Sequence, residues 1–229
     1  MLKLLMLEEI AIFNELSNDD LRNLEKNLTI QSFKKRQVIF YEGDSAEWFY
    51  ILLKGKVKIS KFSADGREIV LEIIDAPDFF GALAVIKNFP YPATAIAIEN
   101  CEVGKVGRNI FLKVFNKYPG LNNKILHHIT MRLRAGVESL KNLALEDVLS
   151  RIVYQILKLT TKYGKKVSEG VLIDLKLTKQ EIAEMAGTTT ETAIRIIGRL
   201  KKEGYIVEQN RKIIVKDIDR LFELLKNKL

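Results

Sequence analysis

The chain has 229 residues, of which 47% are hydrophobic, so it is long enough to form one or two domains with buried cores. No run of eighteen apolar residues occurs, which argues against a membrane span, and the short apolar N-terminus lacks the cleavage site of a signal peptide. Cys101 is the single cysteine, which excludes an internal disulfide and a four-cysteine iron–sulfur cluster and favours a reducing, cytoplasmic setting.

The positive charge is concentrated in the last third of the chain. The net charge is +8; residues 1–147 contain 20 Lys and Arg against 19 Asp and Glu, whereas residues 148–229 contain 17 against 10. A surface that binds a polyanion needs such a localised basic excess, although a lysine-rich solvated surface would give the same total. The charge therefore indicates a candidate region without deciding what binds there.

The first hundred residues are predicted to contain a helical start followed by many short strands. Residues 1–28 are predicted to be helical, with Ser17 capping a helix whose first turn is acidic. Residues 29–107 are rich in β-branched and aromatic residues between turn signals such as EGDS and APDFFG. The predicted strands are TIQSF, QVIFY, WFYILL, KVKIS, EIVLEII and TAIAI. Their spacing predicts an antiparallel roll, jelly roll or barrel.

The stretch DFFGALAVIKNFPYPATA, residues 78–95, interrupts this strand pattern. It holds only two charged side chains, Asp78 and Lys87, and two of the chain's four prolines. We interpret it as a strand end, a short helix, a kinked loop and a new strand. Its apolar character suggests the wall of a pocket.

A long helix is predicted from Tyr118 to about Leu145, with apolar residues at a spacing of three and four. The predicted seam consists of Leu126, Ile129, Leu133, Leu140 and Leu143, with Gly136 at the intermediate place. This heptad-like pattern favours a parallel coiled coil with a second copy of the chain over burial against its own β domain. A hinge is predicted at Asp147, and residues 161–170 are predicted to form a polar loop.

The segment LTKQEIAEMAGTTTETAIRIIGRLKKEGYI predicts a helix-turn-helix. Thr178 with Glu181 forms a capping box, Gly187 provides the turn and Thr189 can cap the second helix. The stretch IVEQNRKIIVKD, which follows, is predicted to form a two-stranded wing. Together these elements predict a winged helix-turn-helix, whose second helix enters the DNA major groove.

The second helix of this motif carries the candidate base-reading residues Thr190, Glu191 and Arg195. Arg195 can donate two hydrogen bonds to guanine O6 and N7, and Glu191 can accept one from cytosine N4. An ordinary surface ion pair between them is the simpler alternative for an isolated helix. The candidate DNA-backbone contacts are Thr178, Lys179, Gln180, Thr188, Thr189 and Arg199.

With these motifs, nearly the whole chain resembles the family of the catabolite activator protein and the fumarate–nitrate reduction regulator. The glycines Gly43, Gly55, Gly66 and Gly81 match the family's β-roll, and LTKQEIAEMAGTTTETAIRII is the most specific match. The resemblance implies an α+β fold with a cyclic-nucleotide-binding-type β-roll and N-terminal helix (1–117), a dimerisation helix and hinge (118–147), and a winged helix-turn-helix (148–229).

The resemblance also implies function. It predicts a homodimer on a palindromic operator, with a TGA-like half-site because Glu191 and Arg195 match the family's base-reading pair. Thr190 stands where some members carry an arginine, so the resemblance does not predict which base is preferred at the outermost position of the half-site.

The stretch 78–95 resembles the family's effector cassette, in which cyclic-AMP binders have Gly-Glu-Leu and later Arg-Ser/Thr-Ala. The corresponding residues here are Gly81, Ala82, Leu83, Pro92, Ala93 and Thr94, with Gly136 and Val137 at the dimer-helix positions that meet adenine. Ala82 replaces the acid and Pro92 replaces the arginine. A cyclic phosphate would therefore lose its ion pair, and we do not expect cyclic AMP to bind.

Three alternatives remain for the pocket: an apolar or weakly polar ligand, haem, or side chains that close it. The candidate haem ligands are His127 and His128, which point about 100° apart on a helix, and Cys101. Ordinary surface histidines and a packed structural cysteine are the simpler interpretations.

The sequence does not predict an enzyme, because the strands carry no histidine and no P-loop, GxSxG or HExxH motif occurs. The expected partners are double-stranded DNA, a second copy of the chain and, by resemblance, RNA polymerase at residues 161–170; no membrane is expected. The residues do not determine whether the protein activates or represses, and the resemblance at residues 161–170 makes activation a reasonable hypothesis. The alternative function is a cyclic-nucleotide or lipid sensor module with an incidental basic tail.

Overall fold

The computed structural model describes residues 7–8 and 10–226. The chain divides into two units, formed by residues 1–67 with 71–135 and by residues 68–70 with 136–229. The predicted helix over the first residues lies largely outside the described part, in which Leu7 and Glu8 are helical and a 3-10 turn follows at Ala11–Phe13. No helix in the described part of the chain is long and apolar enough to cross a membrane.

From Asn18 onwards, the described residues of the first unit form eight strands and three short helices, followed by the start of a long helix. The strands are β1 Thr29–Phe33, β2 Val38–Phe40, β3 Trp48–Lys54, β4 Lys56–Phe62, β5 Glu68–Asp75, β6 Asp78–Phe80, β7 Thr94–Ala97 and β8 Cys101–Gly107. The helices are α1 Asn18–Asn27, α2 Ala82–Lys87, α3 Arg108–Lys117 and α4 Pro119–Leu145. As predicted, Ser17 caps α1, where its Oγ accepts from the Asp20 amide at 3.3 Å.

The strands form two four-stranded sheets, ordered β1-β8-β3-β6 and β2-β7-β4-β5. The pairs of β8 with β1 and β3, of β3 with β6, and of β7 with β2 and β4 are antiparallel. Most sheet neighbours are distant in sequence, so the chain crosses repeatedly from one sheet to the other. This topology confirms the predicted antiparallel roll.

Two segments of the first unit differ in part from the prediction. APDFFG was predicted as a turn, but only Ala76 and Pro77 bend before Asp78–Phe80 forms strand β6, in which Phe79 pairs with Ile51; this strand, helix α2 and strand β7 agree with the strand end, short helix and new strand predicted for residues 78–95. No helix was predicted after Gly107, yet Arg108–Lys117 is helical because Phe111 and Val114 bury one face of it. Both segments are short, so burial against the roll rather than local propensity decides their structure.

Helix α4 is continuous over the predicted span, but its apolar residues serve two purposes. Leu126, Leu133 and Leu140 are 63%, 65% and 66% exposed. Ile129 instead packs against the core of the roll, and Leu143 is half-buried within the second unit. The exposed stripe therefore consists of leucines seven residues apart, whereas two residues assigned to the seam contribute to packing within the chain.

Between residues 136 and 226, the second unit contains the end of α4, four further helices and four strands. These elements are α5 Val148–Tyr163, β9 Gly164–Val167, β10 Gly170–Ile173, α6 Lys179–Ala186, α7 Thr190–Lys202, β11 Ile206–Gln209, β12 Lys212–Val215 and α8 Ile218–Lys226. The predicted break between helices is correct: α5 begins after Asp147, whose carboxylate accepts from the Ser150 amide at 2.8 Å.

The predicted polar loop at 161–170 is wrong. Helix α5 continues to Tyr163, and the rest of the segment is β9 and the turn into β10. These strands extend the predicted two-stranded wing into a sheet ordered β11-β12-β10-β9. Asp174 binds both Lys165, at 2.5 Å, and Lys212, so one carboxylate ties β9 to β12. Because β9 reads GKKV and is exposed throughout, it has no alternating pattern to reveal it.

Candidate nucleic-acid interface

The first helix of the helix-turn-helix, α6, begins with the predicted capping box. The Glu181 amide donates to Thr178 Oγ1 at 3.1 Å, and the Thr178 amide donates to Glu181 Oε2 at 2.7 Å. These two bonds satisfy amides that the helix leaves unpaired at its start. Ile182, Ala183 and Ala186 are buried, as predicted, and fix the inner face of α6.

The turn between α6 and α7 is held by contacts that the sequence did not reveal. Gly187 adopts a left-handed φ of 59°, and a Cβ there would lie 2.5 Å from Leu143 Cδ2. Arg151 donates to the carbonyls of both Leu143 and Gly187 at 3.3 Å. Glycine is therefore required at this turn by backbone conformation and by the nearby leucine, and Arg151 links the turn to the end of α4.

Helix α7 begins at the predicted cap, where the Thr192 amide donates to Thr189 Oγ1 at 3.3 Å. Its buried residues are Ala193, Ile196, Ile197 and Leu200. The opposite side, which we call the reading face, consists of Glu191, Ile194, Arg195, Gly198 and Arg199, all exposed. The helix thus separates a core-facing side from a side that can enter a groove.

The two central candidates on the reading face remain available for a ligand. Arg195 is exposed and makes no hydrogen bond or ion pair with any described residue. The Glu191 carboxylate accepts from its own amide and from the Thr189 hydroxyl, which lowers its pKa and keeps it ionised. The alternative of a surface Glu191–Arg195 ion pair is not seen. Thr190 is partly buried at the first helical position.

Some of the residues predicted to contact phosphate already have side-chain partners in the described part of the chain, and others do not. Lys179 pairs with Glu208 of β11, which also binds Lys201 at 2.8 Å, and Arg199 pairs with Glu203 at 2.7 Å. The hydroxyls of Thr178 and Thr189 serve as helix caps, Thr188 is half-buried and Gln180 is exposed. Binding phosphate through Lys179 or Arg199 would therefore require exchange of a carboxylate partner.

The candidate effector residue Gly81 lies beside an aromatic cluster, formed by Phe40, Tyr50, Phe80 and Tyr91. The rings of Phe40 and Tyr91 stack at 3.9 Å, and those of Tyr50 and Phe80 at 5.2 Å. A Cβ on Gly81, which has a φ of 78°, would lie 3.1 Å from Tyr91. The start of the cassette is therefore packed directly against this cluster.

Tyr91 also fixes the loop of the cassette. Its hydroxyl donates to the Trp48 carbonyl at 2.5 Å and accepts from the Trp48 amide at 3.2 Å. Burial, with Tyr50 nearby, raises the pKa of Tyr91 far above its usual range, so it stays protonated. The sequence did not single out Tyr91, because its partner lies 43 residues away.

The cassette residues themselves are mostly apolar. Ala82 and Ala93 are buried, whereas Leu83 and Pro92 are exposed. Thr94 is buried, and its hydroxyl accepts from the Glu42 amide at 3.0 Å. None of these side chains offers a charge for a phosphate. Gly136 and Val137 belong to the second unit and are exposed.

The candidate haem ligands differ in their surroundings. The ring of His128 lies 4.8 Å from that of Phe79 at a tilt of 45°, its Nε2 lies 3.6 Å from Asp78, and burial lowers the pKa of His128. The Cys101 thiol lies 3.1 Å from the Lys56 carbonyl as a hydrogen-bond donor, and burial raises its pKa. His127 is exposed. Within the described residues, no group of three metal-binding side chains occurs.

Comparisons with known proteins agree with both units. A cyclic nucleotide-binding domain model matches residues 30–118, and a Crp-like helix-turn-helix domain model matches residues 150–224. The global nitrogen regulator of Synechococcus elongatus is 30% identical over 208 residues, covering 90% of this chain and 91% of that protein. The CRP-like cAMP-activated global transcriptional regulator of Mycobacterium tuberculosis is 27% identical, covering 94% and 96%.

Solved structures show the same fold. A CooA variant from Carboxydothermus hydrogenoformans matches with a TM-score of 0.78 at 21% identity, covering 96% of this chain and 95% of that one. The c-di-GMP responsive global regulator CLP of Xanthomonas campestris matches with a TM-score of 0.75 at 21% identity, covering 88% and 100%.

A β-roll, a long helix and a helix-turn-helix with an open reading face define a DNA-binding transcriptional regulator. With the sequence matches over nine-tenths of its length, the chain belongs to the CRP/FNR family of transcription factors. The members it matches are transcriptional regulators and not enzymes.

Proposed function

We propose that the protein regulates transcription as a homodimer that binds a palindromic operator with a TGA-like half-site. The observation that carries this proposal is the unpaired guanidinium of Arg195, which shares the reading face with Glu191. The N-terminal part of a recognition helix lies deepest in the major groove. There an arginine fork suits guanine, and an ionised glutamate suits the amino group of cytosine.

The homodimer is supported by the exposed leucines of α4. Leu126, Leu133 and Leu140 follow one another at seven-residue intervals, and each leaves most of its side chain in water. Two copies aligned in parallel would bury all three, as in a coiled coil. A dimer would also present two recognition helices, which a palindromic operator requires. We place this regulator in the cytoplasm.

We further propose that cyclic AMP is not the effector, although a relative is described as cAMP-activated. Ala82 and Pro92 stand where the family's cyclic-AMP binders have an acid and an arginine. The aromatic cluster lies against Gly81, where a Cβ would already be 3.1 Å from Tyr91. An apolar effector or a closed roll fits these residues; haem fits them poorly.

The DNA proposal is tested by selecting duplexes from a random-sequence library and measuring the affinity of the enriched operator by mobility shift. Arg195→Ala should weaken operator binding by about 1–3 kcal/mol and relax one base position. Arg22→Ala, which removes an exposed arginine from α1, is the control and should bind like the wild type. Binding that ignores both sequence and salt would contradict the proposal.

The effector proposal is tested by thermal unfolding with increasing cyclic AMP. If cyclic AMP bound, a concentration of 100 times its Kd would stabilise the protein by about 2.7 kcal/mol and raise its Tm. Because we propose that it does not bind, we expect the Tm to be unchanged at millimolar nucleotide. A dose-dependent rise in Tm would overturn this part.

A role in activation is a separate hypothesis for the β9–β10 hairpin, which occupies the segment where family activators touch RNA polymerase. Transcription from a promoter that carries the operator tests it. If added protein never raises the output, the hypothesis is wrong.

A further inference from the structure

The reading face carries one large apolar side chain that the chain itself does not use. Ile194 is 53% exposed, whereas the other isoleucines of α7, Ile196 and Ile197, are buried in the core of the second unit. A single exposed isoleucine is common on protein surfaces and would not by itself indicate a ligand. Its place among the base-reading residues makes its chemistry relevant.

A second feature of the same face is independent of the first. Gly198 lies four residues after Ile194, in the interior of α7, and is exposed. It has no positive φ, and a Cβ built on it would meet nothing within 4 Å. Neither backbone conformation nor packing therefore requires glycine there, although glycine is a poor helix former. A glycine in such a position permits another molecule to approach the backbone closely.

The helical geometry places these two residues beside the polar pair. Successive residues turn by about 100°, so Ile194 and Arg195 lie on opposite sides of the line through Glu191 and Gly198. Ile194 is the fifth residue of α7, within the part of a recognition helix that reaches base edges rather than phosphates. Its side chain consequently faces the bases adjacent to those that Glu191 and Arg195 would contact.

Only one base offers an apolar group in the major groove. Thymine presents its C5-methyl group, whereas the other bases present hydrogen-bond donors and acceptors there. Isoleucine can neither donate nor accept a hydrogen bond, so against any other base edge it would leave polar atoms without a partner. We propose that Ile194 reads the methyl group of a thymine in each operator half-site, and that Gly198 leaves room for the close approach this contact needs. This inference rests on the proposed function.

The test uses the full-length protein and the duplex that it selects from a random-sequence library. Each thymine of one half-site is replaced in turn by deoxyuridine, which lacks only the methyl group. The wild type should lose about fourfold in affinity at one position, the value expected for one buried methyl group, and about sixteenfold when both half-sites carry the change.

Two variants separate the contact from the fold. Ile194→Ala should bind the thymine and deoxyuridine duplexes equally, because the side chain that senses the methyl group is gone. Ile194→Val keeps a branched apolar side chain and should retain most of the discrimination. Since Ile194 is exposed and alanine is the better helix former, both variants should unfold like the wild type.

Failure of this inference can be told from failure of the proposed function. If no duplex is selected, both are wrong. If an operator is selected and Arg195→Ala weakens its binding and relaxes one base position, the proposed function stands. The inference is then overturned if no deoxyuridine substitution weakens binding, or if Ile194→Ala keeps the same sensitivity to it.

Discussion

The reading face of α7 and the effector cassette of the roll use their polar groups in opposite ways. On the reading face, Arg195 has no partner in the described chain and Glu191 is held ionised. In the cassette, Ala82 and Pro92 replace charged groups, and the Tyr91 hydroxyl is occupied by the Trp48 backbone. A surface that recognises a ligand has polar groups without partners in the protein. In a region that is only structural, the polar groups form hydrogen bonds within the protein.

This difference predicts that the aromatic cluster is a core and not a ligand cavity. Phe80→Ala should lower the free energy of unfolding of the roll by about 3–5 kcal/mol, because Phe80 is buried against Phe40 and Tyr50. Denaturant unfolding followed by the fluorescence of the single tryptophan, Trp48, measures it.

Phe62→Ala is the matched control, since Phe62 is exposed at the end of β4 and its loss should cost much less. If Phe80→Ala were tolerated as well as the control, the cluster would be loosely packed. The cassette would then resemble an open site, and the contrast with the reading face would fail.

A second prediction concerns Asp20, a charged residue of the roll that, unlike Arg195 on the reading face, is bound by other side chains of the chain. Asp20 accepts from Lys117, at 2.6 Å, and from Tyr118, and these bonds lower its pKa to about 2. Because the folded pKa lies below the unfolded value of about 3.8, its stabilisation is present above pH 4 and is lost as the pH falls towards 2.

Asp20→Asn should therefore cost about 1 kcal/mol at pH 7, a figure reduced for the solvent exposure of Lys117. Unfolding curves at pH 7 and at low pH measure the difference, which should shrink below pH 4. Asp19→Asn, which changes the exposed neighbour in the same turn, is the control. A cost that does not change with pH would contradict this account.

The sequence predicted those features that depend on neighbours in the chain. The capping box of Thr178 and Glu181 spans three residues, and the turn at Gly187 follows from one residue type. The hairpin at β9 escaped prediction because its stability comes from β10 and from Asp174, not from its own pattern. The pairing of Lys179 with Glu208 also escaped prediction, since 29 positions separate them and only the folded wing brings them together.

On the reading face, a third prediction separates stability from binding. Gly198→Ala should raise the free energy of unfolding by roughly 0.5–1 kcal/mol, because alanine is the better helix former and its methyl group meets nothing in the chain. The same change should lower operator affinity if DNA approaches the backbone at this position. Denaturant unfolding and mobility shift on one preparation measure both quantities. If affinity is unchanged while stability rises, Gly198 has no part in the interface.

The smallest expected effect concerns Arg199, which is held by an exposed ion pair. Arg199 pairs with Glu203 across one helical turn, and both side chains are exposed to solvent, so the pair contributes little to stability. A phosphate could therefore displace Glu203 at little cost. Glu203→Gln should strengthen operator binding severalfold, because Arg199 would be free before DNA arrives. The comparison with Arg195, which is already free, suggests that Glu203 restrains affinity without affecting base choice.

Salt titration distinguishes this effect from a simple change in net charge. Each phosphate contact contributes about −0.9 to the slope of log affinity against log salt. If Arg199 gains a contact in Glu203→Gln, the slope should steepen by about that amount, with the preferred sequence unchanged. Glu169→Gln makes the same change in charge in the exposed turn of the β9–β10 hairpin, away from α7. Equal slopes for the two variants would show that Arg199 stays off the DNA backbone and that Glu203 acts only through long-range charge.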